Sequence, residues 1–529
     1  MASKTNSTSN SGSSRLKVVL INAPPLAIVE PWYDRPNWGR VGLAYLAAKL
    51  RQHPGFDVSI IDAKLERLDF QQTLARVTAL QPHVVGLTAF TNEIKPAAYL
   101  AALIKEENPS LLTVIGGVHV TALPIQTLEE FASFDVGVVG EGEITFLELC
   151  EAVRADNDMD GIPGLAYRRE GGFVQTELRK RILDQDEIPQ PAWDLLPPSP
   201  EYWVQTLRGC PFNCVFCMNH NGRVARTRSV ENVIEEIESI IDTYKPKTIR
   251  FGDELFTVNM DRSRKMMGAM IARGIGGKVQ WDCQTHVRFV DYELLVQMKE
   301  AGCYQVDLGI ETGDESALKS LGKGTNLSMI HKAAEAAKKA KLAFGTFFII
   351  GQPNETRESI KNTIDLAVKL NPNLPMIGLM CPYPATEVSR LAANGEAGYR
   401  LISTDWDEYN KQIGGAMEFA NLTRSQIEWI QILAYTKVFL YNLRFFDFLK
   451  FTWEYRKGAW SVLKKAITRR SMSSSLVKPS DYDEKLRGGR PASMRDIIEA
   501  RSSWGLVQKS ELTRTHKEAP ELLKIARTS

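Results

Sequence analysis

The chain has little that would tie it to a membrane span, a secretory route or nucleic acid. Across 529 residues there is no run of about eighteen uninterrupted apolar residues, which argues against a spanning helix. The opening MASKTNSTSNSGSS is polar and lacks the apolar core of a secretory signal, so a reducing cytoplasm is the expected setting. Net charge is only +2, with 24% charged and 44% hydrophobic residues, and gives no global reason to expect a nucleic-acid partner. Cysteine is scarce as well. Of the seven, Cys150, Cys283, Cys303 and Cys381 are scattered through apolar or strand-like stretches, where a thiol reads as a small buried hydrophobe. Cys210, Cys214 and Cys217 are crowded into RGCPFNCVFCMNHNGR (208–223), with the spacing C-x3-C-x2-C.

A chain of this length predicts two to four domains. Short apolar runs alternate with amphipathic stretches from residue 16 onward: KVVLI (17–21), DVSIID (57–62), HVVGLTA (83–89), LLTVIGG (111–117) and DVGVVG (135–140). Fully apolar strands separated by helices predict a doubly wound, Rossmann-like α/β domain over residues 15–155. Its ligand loops are expected beyond the strand carboxyl ends, at TAFTN (88–92), GGVHVTALP (116–124) and GEGEITF (140–146). Residues 156–200 read as a proline-rich linker containing one hairpin. A second series covers 201–395, with strands in YWVQTLRGC, TIRFGDE, VQWDCQT, QVDLGIE, AFGTFFIIG and MIGLMC, and predicts a partial (β/α)6 barrel. From about residue 400 the pattern predicts helices without strands, over 396–475. Within it, residues 425–470 mix aromatics with Lys and Arg, as a helical lid or as an amphipathic surface facing a membrane. The segments 1–14 and 476–529 read as polar tails.

Three thiols at 210, 214 and 217 are an odd number for a disulfide framework and one short of a closed zinc site. His220 offers zinc a fourth ligand, but zinc ribbons pair two C-x2-C knuckles and no second knuckle occurs. A [4Fe–4S] cluster takes cysteine thiolates and, with three of them, keeps one iron open.

On these residues the second domain resembles the radical S-adenosylmethionine (SAM) superfamily. The resemblance implies Cys210, Cys214 and Cys217 as ligands of a [4Fe–4S] cluster whose open iron chelates SAM, and Phe216 as the aromatic lying against the adenine. It implies that Gly252, Asp253 and Glu254 lie near the SAM amino group, with Asp253 standing where the family usually has Gly. Glu311 in GIETG matches a ribose- or amino-contacting position. Gly351, in GTFFIIGQPNET (345–356), belongs to the motif along the adenine. A doubly wound domain before such a barrel resembles the cobalamin-binding subgroup, with Thr88, Gly116, Gly117, His119, Thr121, Gly140 and Glu141 at the loops that meet the corrin. The D-x-H-x-x-G motif that supplies a cobalt-ligating histidine in other cobalamin proteins is absent.

The resemblance implies a class B radical SAM methyltransferase, moving a methyl group from methylcobalamin to an unactivated carbon of a small-molecule or lipid substrate. It also implies an electron donor such as flavodoxin or ferredoxin. Two alternatives share the motifs: a cyclase or rearrangement enzyme of the anaerobic porphyrin-cyclase type, and a non-catalytic corrinoid or cluster sensor. CPYPATE (381–387) and the following helices are expected to line the substrate pocket. Cys381 and Tyr383 are candidates by position alone for a proton acceptor or radical-quenching residue, and no catalytic residue is assigned.

Overall fold

The computed structural model describes residues 15–28, 34–411, 415–454, 493, 495–502 and 508. The expected tails at 1–14 and, for the most part, 476–529 lie outside the described residues, as do residues 455–470 of the aromatic, basic stretch.

The first sheet contains β1 (Leu16–Asn22), β2 (Phe56–Asp62), β3 (Val84–Thr88), β4 (Leu112–Gly116) and β5 (Val136–Val138), all parallel. Its order, β2-β1-β3-β4-β5, reverses direction between β1 and β3, where a crevice opens at the strand ends. Leu20, Ile21, Val84, Val85 and Ile115 are fully buried because helices α1 (Val41–Arg51), α2 (Phe70–Leu80), α3 (Ile94–Glu107) and α4 (Gly142–Ala155) cover both faces. The hairpin β6 (Leu165–Arg169) and β7 (Gly172–Gln175), read from sequence as part of a linker, instead pairs antiparallel onto β5 and completes a seven-stranded sheet. Leu165, Ala166 and Tyr167 are buried there, which is what recruits it.

The second sheet has six parallel strands in the order β15-β14-β13-β12-β11-β8: β8 (Glu201–Val204), β11 (Thr248–Phe251), β12 (Gln280–His286), β13 (Cys303–Glu311), β14 (Ala343–Ile350) and β15 (Leu374–Leu379). Its helices are α5 (Val230–Tyr244), α6 (Met260–Ala272), α7 (Tyr292–Glu300), α8 (Leu327–Ala340) and α9 (Arg357–Leu370). Each opens on a side chain that accepts a hydrogen bond from its first turn: Ser229, Asn259, Asp291, Asn326 and Thr356. The two edge strands of this open barrel are covered. Trp203 on β8 stacks on Trp38 at 4.9 Å. On β15, the Ile377 amide donates to Tyr435 Oη at 2.9 Å, and Gln431 Nε2 donates to the Ile377 carbonyl at 2.7 Å.

Tyr435 and Gln431 belong to α10 (Arg424–Tyr441), which is followed by α11 (Phe445–Glu454). The segment before α10 is not free of strands as expected: β16 (Arg400–Leu401) and β17 (Met417–Glu418) form a short antiparallel ladder. It positions Trp406, which packs edge-on against His119 of the first domain at 4.9 Å.

Candidate active site between two cofactor platforms

The cysteine loop is a closed excursion. β9 (Leu207–Arg208) pairs antiparallel with β10 (Arg226–Thr227), so the residues between them project from the rim. Gly209 starts the loop at φ +95°, where a Cβ would lie 2.2 Å from the Val224 carbonyl oxygen, so no other residue fits. The Cys210 amide donates to Gly222 O (2.9 Å), the Cys217 amide to Cys214 O (3.0 Å), and Asn219 Nδ2 to Cys210 O (2.6 Å). Gln508, far along the chain, accepts from Arg223 Nε at 2.9 Å and donates to Met218 O at 2.8 Å.

Burial raises all three thiols, Cys214 to about 12; neighbouring thiols raise Cys210 and Cys214 further, and Glu254 does the same for Cys217. Left alone, the thiols stay protonated, and ligation needs a cationic centre to draw the protons off. Among the described residues no three His, Cys, Asp or Glu side chains converge as ligands of a single ion. Three thiols on one loop, with Cys210 and Cys214 each sensing a neighbouring thiol, offer the donor set of a polynuclear cluster with one open iron.

Around this loop the barrel rim carries buried charge. Asp253, in the motif expected near the SAM amino group, is fully buried. Its carboxylate accepts from Thr206 N (2.6 Å), Thr206 Oγ1 (2.6 Å) and Leu207 N (3.1 Å), and so pins the strand that leads into the cysteine loop. Burial raises its pKa to about 6 despite those donors. Glu254 does face the loop: one oxygen accepts from Asn221 Nδ2, and Oε2 is buried without a hydrogen bond.

Glu311 is held in the left-handed region at φ +70°, beside a register shift between β13 and β14. Lys323 meets its carboxylate and donates to Gly309 O at 2.7 Å. The same ammonium lowers Cys214, against the effect of burial. His286 stacks on Phe212 at 4.4 Å and contacts Lys323 O at 3.1 Å; burial lowers its pKa to about 3, so it is neutral. Gly351, at φ +109°, sits where a Cβ would meet Phe419 at 2.7 Å, and its amide donates to Glu355. Phe216 is half-buried against the main core, and at Gly252 a Cβ would press on Trp203 at 3.2 Å. Cys381 is buried and Tyr383 half-buried, with Lys411 Nζ 5.9 Å from the tyrosine ring.

The loops of the first sheet are knitted through small groups. Gly117 adopts φ +103°, ψ −172°, and a Cβ there would lie 2.7 Å from Ala89 O and 3.0 Å from Thr88 Oγ1. Thr121 Oγ1 donates to Gly117 O (2.8 Å) and accepts from Gly140 N (3.0 Å), tying the loops after β4 and β5 together. Gly116 and Gly140 leave room: a Cβ at Gly116 would meet nothing nearer than 3.8 Å, and one at Gly140 nothing within 4 Å. His119 is 1% exposed; Nδ1 lies 3.4 Å from Thr91 Oγ1, Nε2 has no hydrogen-bond partner, and burial brings its pKa down to about 3. An open glycine rim with an orphaned neutral nitrogen beneath it fits a large ligand rich in amide groups, such as a corrin.

Buried charges near the crevice pair with one another. Glu93 accepts from Arg40 at 2.7 Å and from Lys64 at 2.6 Å; burial opposes its ionisation, yet the two cations bring its pKa to about 2. Glu141 has its carboxylate among three arginines. It binds Arg226, with Arg208 at 3.8 Å and Arg181 at 3.9 Å, and these cations outweigh burial to hold its pKa at about 2. Glu143 accepts from Arg208 at 2.6 Å, and the Arg208 guanidinium lies 5.1 Å from the Tyr45 ring. This cluster joins the loop after β5 to the residue two before Cys210. Sequence reading assigned no role to Lys323, Asn221, Arg208, Arg226 or Glu143, although Arg208 and Asn221 lie within the cysteine stretch 208–223 and Glu143 within the loop 140–146.

Two family models match the chain: the radical SAM superfamily over residues 204–367 and the B12 binding domain over residues 35–150. An uncharacterized methyltransferase of Pyrococcus horikoshii is 36% identical over 409 residues, covering 76% of this chain and 87% of its own. An anaerobic magnesium-protoporphyrin IX monomethyl ester cyclase of Rubrivivax gelatinosus is 30% identical over 390 residues, covering 71% of this chain and 69% of its own. Among solved structures, the cobalamin-dependent SAM radical enzyme OxsB aligns with TM-score 0.67 at 16% identity, over 97% of this chain and 83% of that one. The radical SAM methyltransferase TsrM of Kitasatospora setae aligns with TM-score 0.64 at 17% identity, over 94% and 100%. The two alignments extend the shared fold across both domains.

Proposed function

Because the chain belongs to the cobalamin-binding branch of the radical SAM superfamily, we propose that it transfers a methyl group from cobalamin to an unactivated carbon of a small-molecule or lipid substrate. One observation carries this reading: the buried Arg208–Glu143 and Arg226–Glu141 pairs clamp the loop after β5 directly onto the strands that hold the cysteine loop. Two platforms locked rim to rim suit a reaction that needs both cofactors against one substrate carbon.

When bound, the cluster supplies an electron, SAM the hydrogen-abstracting radical, and cobalamin the methyl group. The protein's share is placement. Cys210, Cys214 and Cys217 would hold the cluster, and the open oxygen of Glu254 would receive the SAM amino group beside it. Lys323 keeps Glu311 in its strained conformation and lends positive charge to the thiolate side. Thr88, Gly116, Gly117 and Gly140 would let the corrin approach backbone, with neutral His119 below. Trp406 and Tyr409, both buried, close the first-domain side against water.

Anaerobic reconstitution with iron, sulfide and hydroxocobalamin tests it. The expected result is about four irons and one cobalt per chain, with methyl label moving from SAM into product and S-adenosylhomocysteine formed alongside 5′-deoxyadenosine. Iron without cobalt sinks the reading. The cyclase relatives at 30% and 31% identity favour oxidative cyclisation as the second reading. Cobalt retained with 5′-deoxyadenosine but no S-adenosylhomocysteine would select it.

A further inference from the structure

Six of the ten residues of α11, FFDFLKFTWE, are large and apolar, more than one core-facing stripe requires, and a composition of that kind belongs in a core. Half of it has one. Phe451 stacks on Tyr435 at 4.6 Å and lies 5.5 Å from Phe439, and Phe448 lies 6.0 Å from Phe439, so this side packs on α10. The other side faces solvent: Phe446 is 87% exposed, Leu449 62% and Phe445 53%, with Leu443 in the preceding turn 77% and Tyr441 at the end of α10 74% exposed. Five large apolar side chains gathered around one turn and on one helix face exceed the scattered exposure normal on a soluble surface.

The charge around the patch says what covers it. Asp447 is neutralised by Arg444 at 2.7 Å, which leaves exposed Lys450 at the border of the apolar face. The sequence that follows contains Arg456, Lys457, Lys464, Lys465, Arg469 and Arg470, with no Asp or Glu between Tyr455 and Ser480. Pairing with a second copy would add like charge to like charge, which disfavours association. Aromatic side chains beside cations instead match the boundary of an anionic bilayer, where rings enter the headgroup–acyl region and ammonium groups meet phosphates. No helix among the described residues is long and apolar enough to cross a membrane, so the contact would be peripheral.

We propose that the outer face of α11 and the turn before it dock this enzyme on an anionic lipid surface. α10 carries α11 and also bonds the edge strand of the barrel, so docking would hold the barrel itself against the bilayer. The inference stands independently of the methyl-transfer reading.

The test is co-sedimentation of the full-length protein with phosphatidylcholine vesicles, with and without phosphatidylglycerol. We expect binding to the anionic vesicles, weakened about tenfold or more by F446E/L449E and reduced by salt, while iron and cobalt content and the circular dichroism spectrum stay unchanged. If that variant fails to fold, F446S is read in the same way. Absence of wild-type binding, equal binding by the variants, or equal binding to neutral vesicles at any salt would overturn the proposal. So would a dimer in light scattering that the variants split, because a second copy would then be the occupant.

Discussion

The two rims that face each other in this molecule satisfy their buried groups in opposite ways. At the first sheet, Arg40, Lys64 and Glu93 neutralise one another, and in the loops after β3 and β4 the buried atom without a hydrogen bond is the neutral Nε2 of His119. Beside the three thiols and the Lys323–Glu311 pair of the barrel, an oxygen of Glu254 is buried without a hydrogen bond. A neutral orphan in a glycine rim awaits a bulky ligand recognised by shape and amide hydrogen bonds. An anionic orphan beside thiols awaits a cation or an ammonium group, since an unpaired buried charge is far more costly than an unpaired dipole. The difference separates a platform that accommodates from one that captures charge.

Breaking the capture side gives the largest effect. Cys214→Ala should lower iron retained after reconstitution to near background and abolish turnover, while cobalt retention stays at the wild-type level. Loss of cobalt as well would mean the two platforms do not load separately. The clamp between them comes next. Glu143→Ala strands the guanidinium of Arg208, which is 7% exposed and keeps only Glu141 at 3.8 Å. A cost of about 3–5 kcal/mol is expected in the urea midpoint. Glu143→Gln, which still accepts from Arg208, should cost less.

Gly117→Ala sharpens the comparison from the other side. Its φ and ψ lie in a region reserved for glycine, and the added methyl meets Ala89 O, so ~1–3 kcal/mol of stability should go. Cobalamin affinity, read by tryptophan quenching, should weaken by about tenfold, with iron content unchanged. Equal loss of iron and cobalt would mean that the rim supports the whole interface rather than one ligand.

How much of this was legible in the sequence depends on the range of the interaction. The C-x3-C-x2-C spacing and the apolar runs are local, and the eleven parallel strands among the described residues follow from those runs. The clamp was not legible, because Arg208–Glu143 and Arg226–Glu141 span 65 and 85 residues and nothing local marks an arginine as inward-facing. For the same reason Glu141, in a motif that resembles a corrin loop, could not be seen to spend its carboxylate on the barrel. The hairpin at β6–β7 was legible as a hairpin, but its partner, β5, lies across α4. α11 was legible as aromatic and basic; that Phe448 and Phe451 turn inward while Phe446 turns out needed the packing of α10.

Asp253 offers the smallest effect and the finest discrimination, because its motif placed it at the ligand and the fold uses it as a strut. Its ordinary pKa is 3.8 and the folded value about 6, so between those values the folded chain binds a proton that the unfolded chain releases. Stability must therefore fall as pH rises across that window, by up to about 1 kcal/mol per pH unit from this group. Glu141 has the opposite sign: from an ordinary 4.5 to a folded value of about 2, its contribution is present above 4.5 and lost on acidification through that range. Asp253→Asn can keep the backbone donors on its carbonyl oxygen and turn its amide toward Thr206 Oγ1, retaining the geometry without the titration. The variant should gain on the wild type steadily from pH 4 to pH 6 in urea midpoints, and its Kd for SAM should stay within about twofold at neutral pH. A flat difference across the window would show that the carboxylate is ionised in the fold throughout. A large loss of SAM affinity with the cluster intact would return Asp253 to the ligand side, and the contrast between strut and open Glu254 would fail.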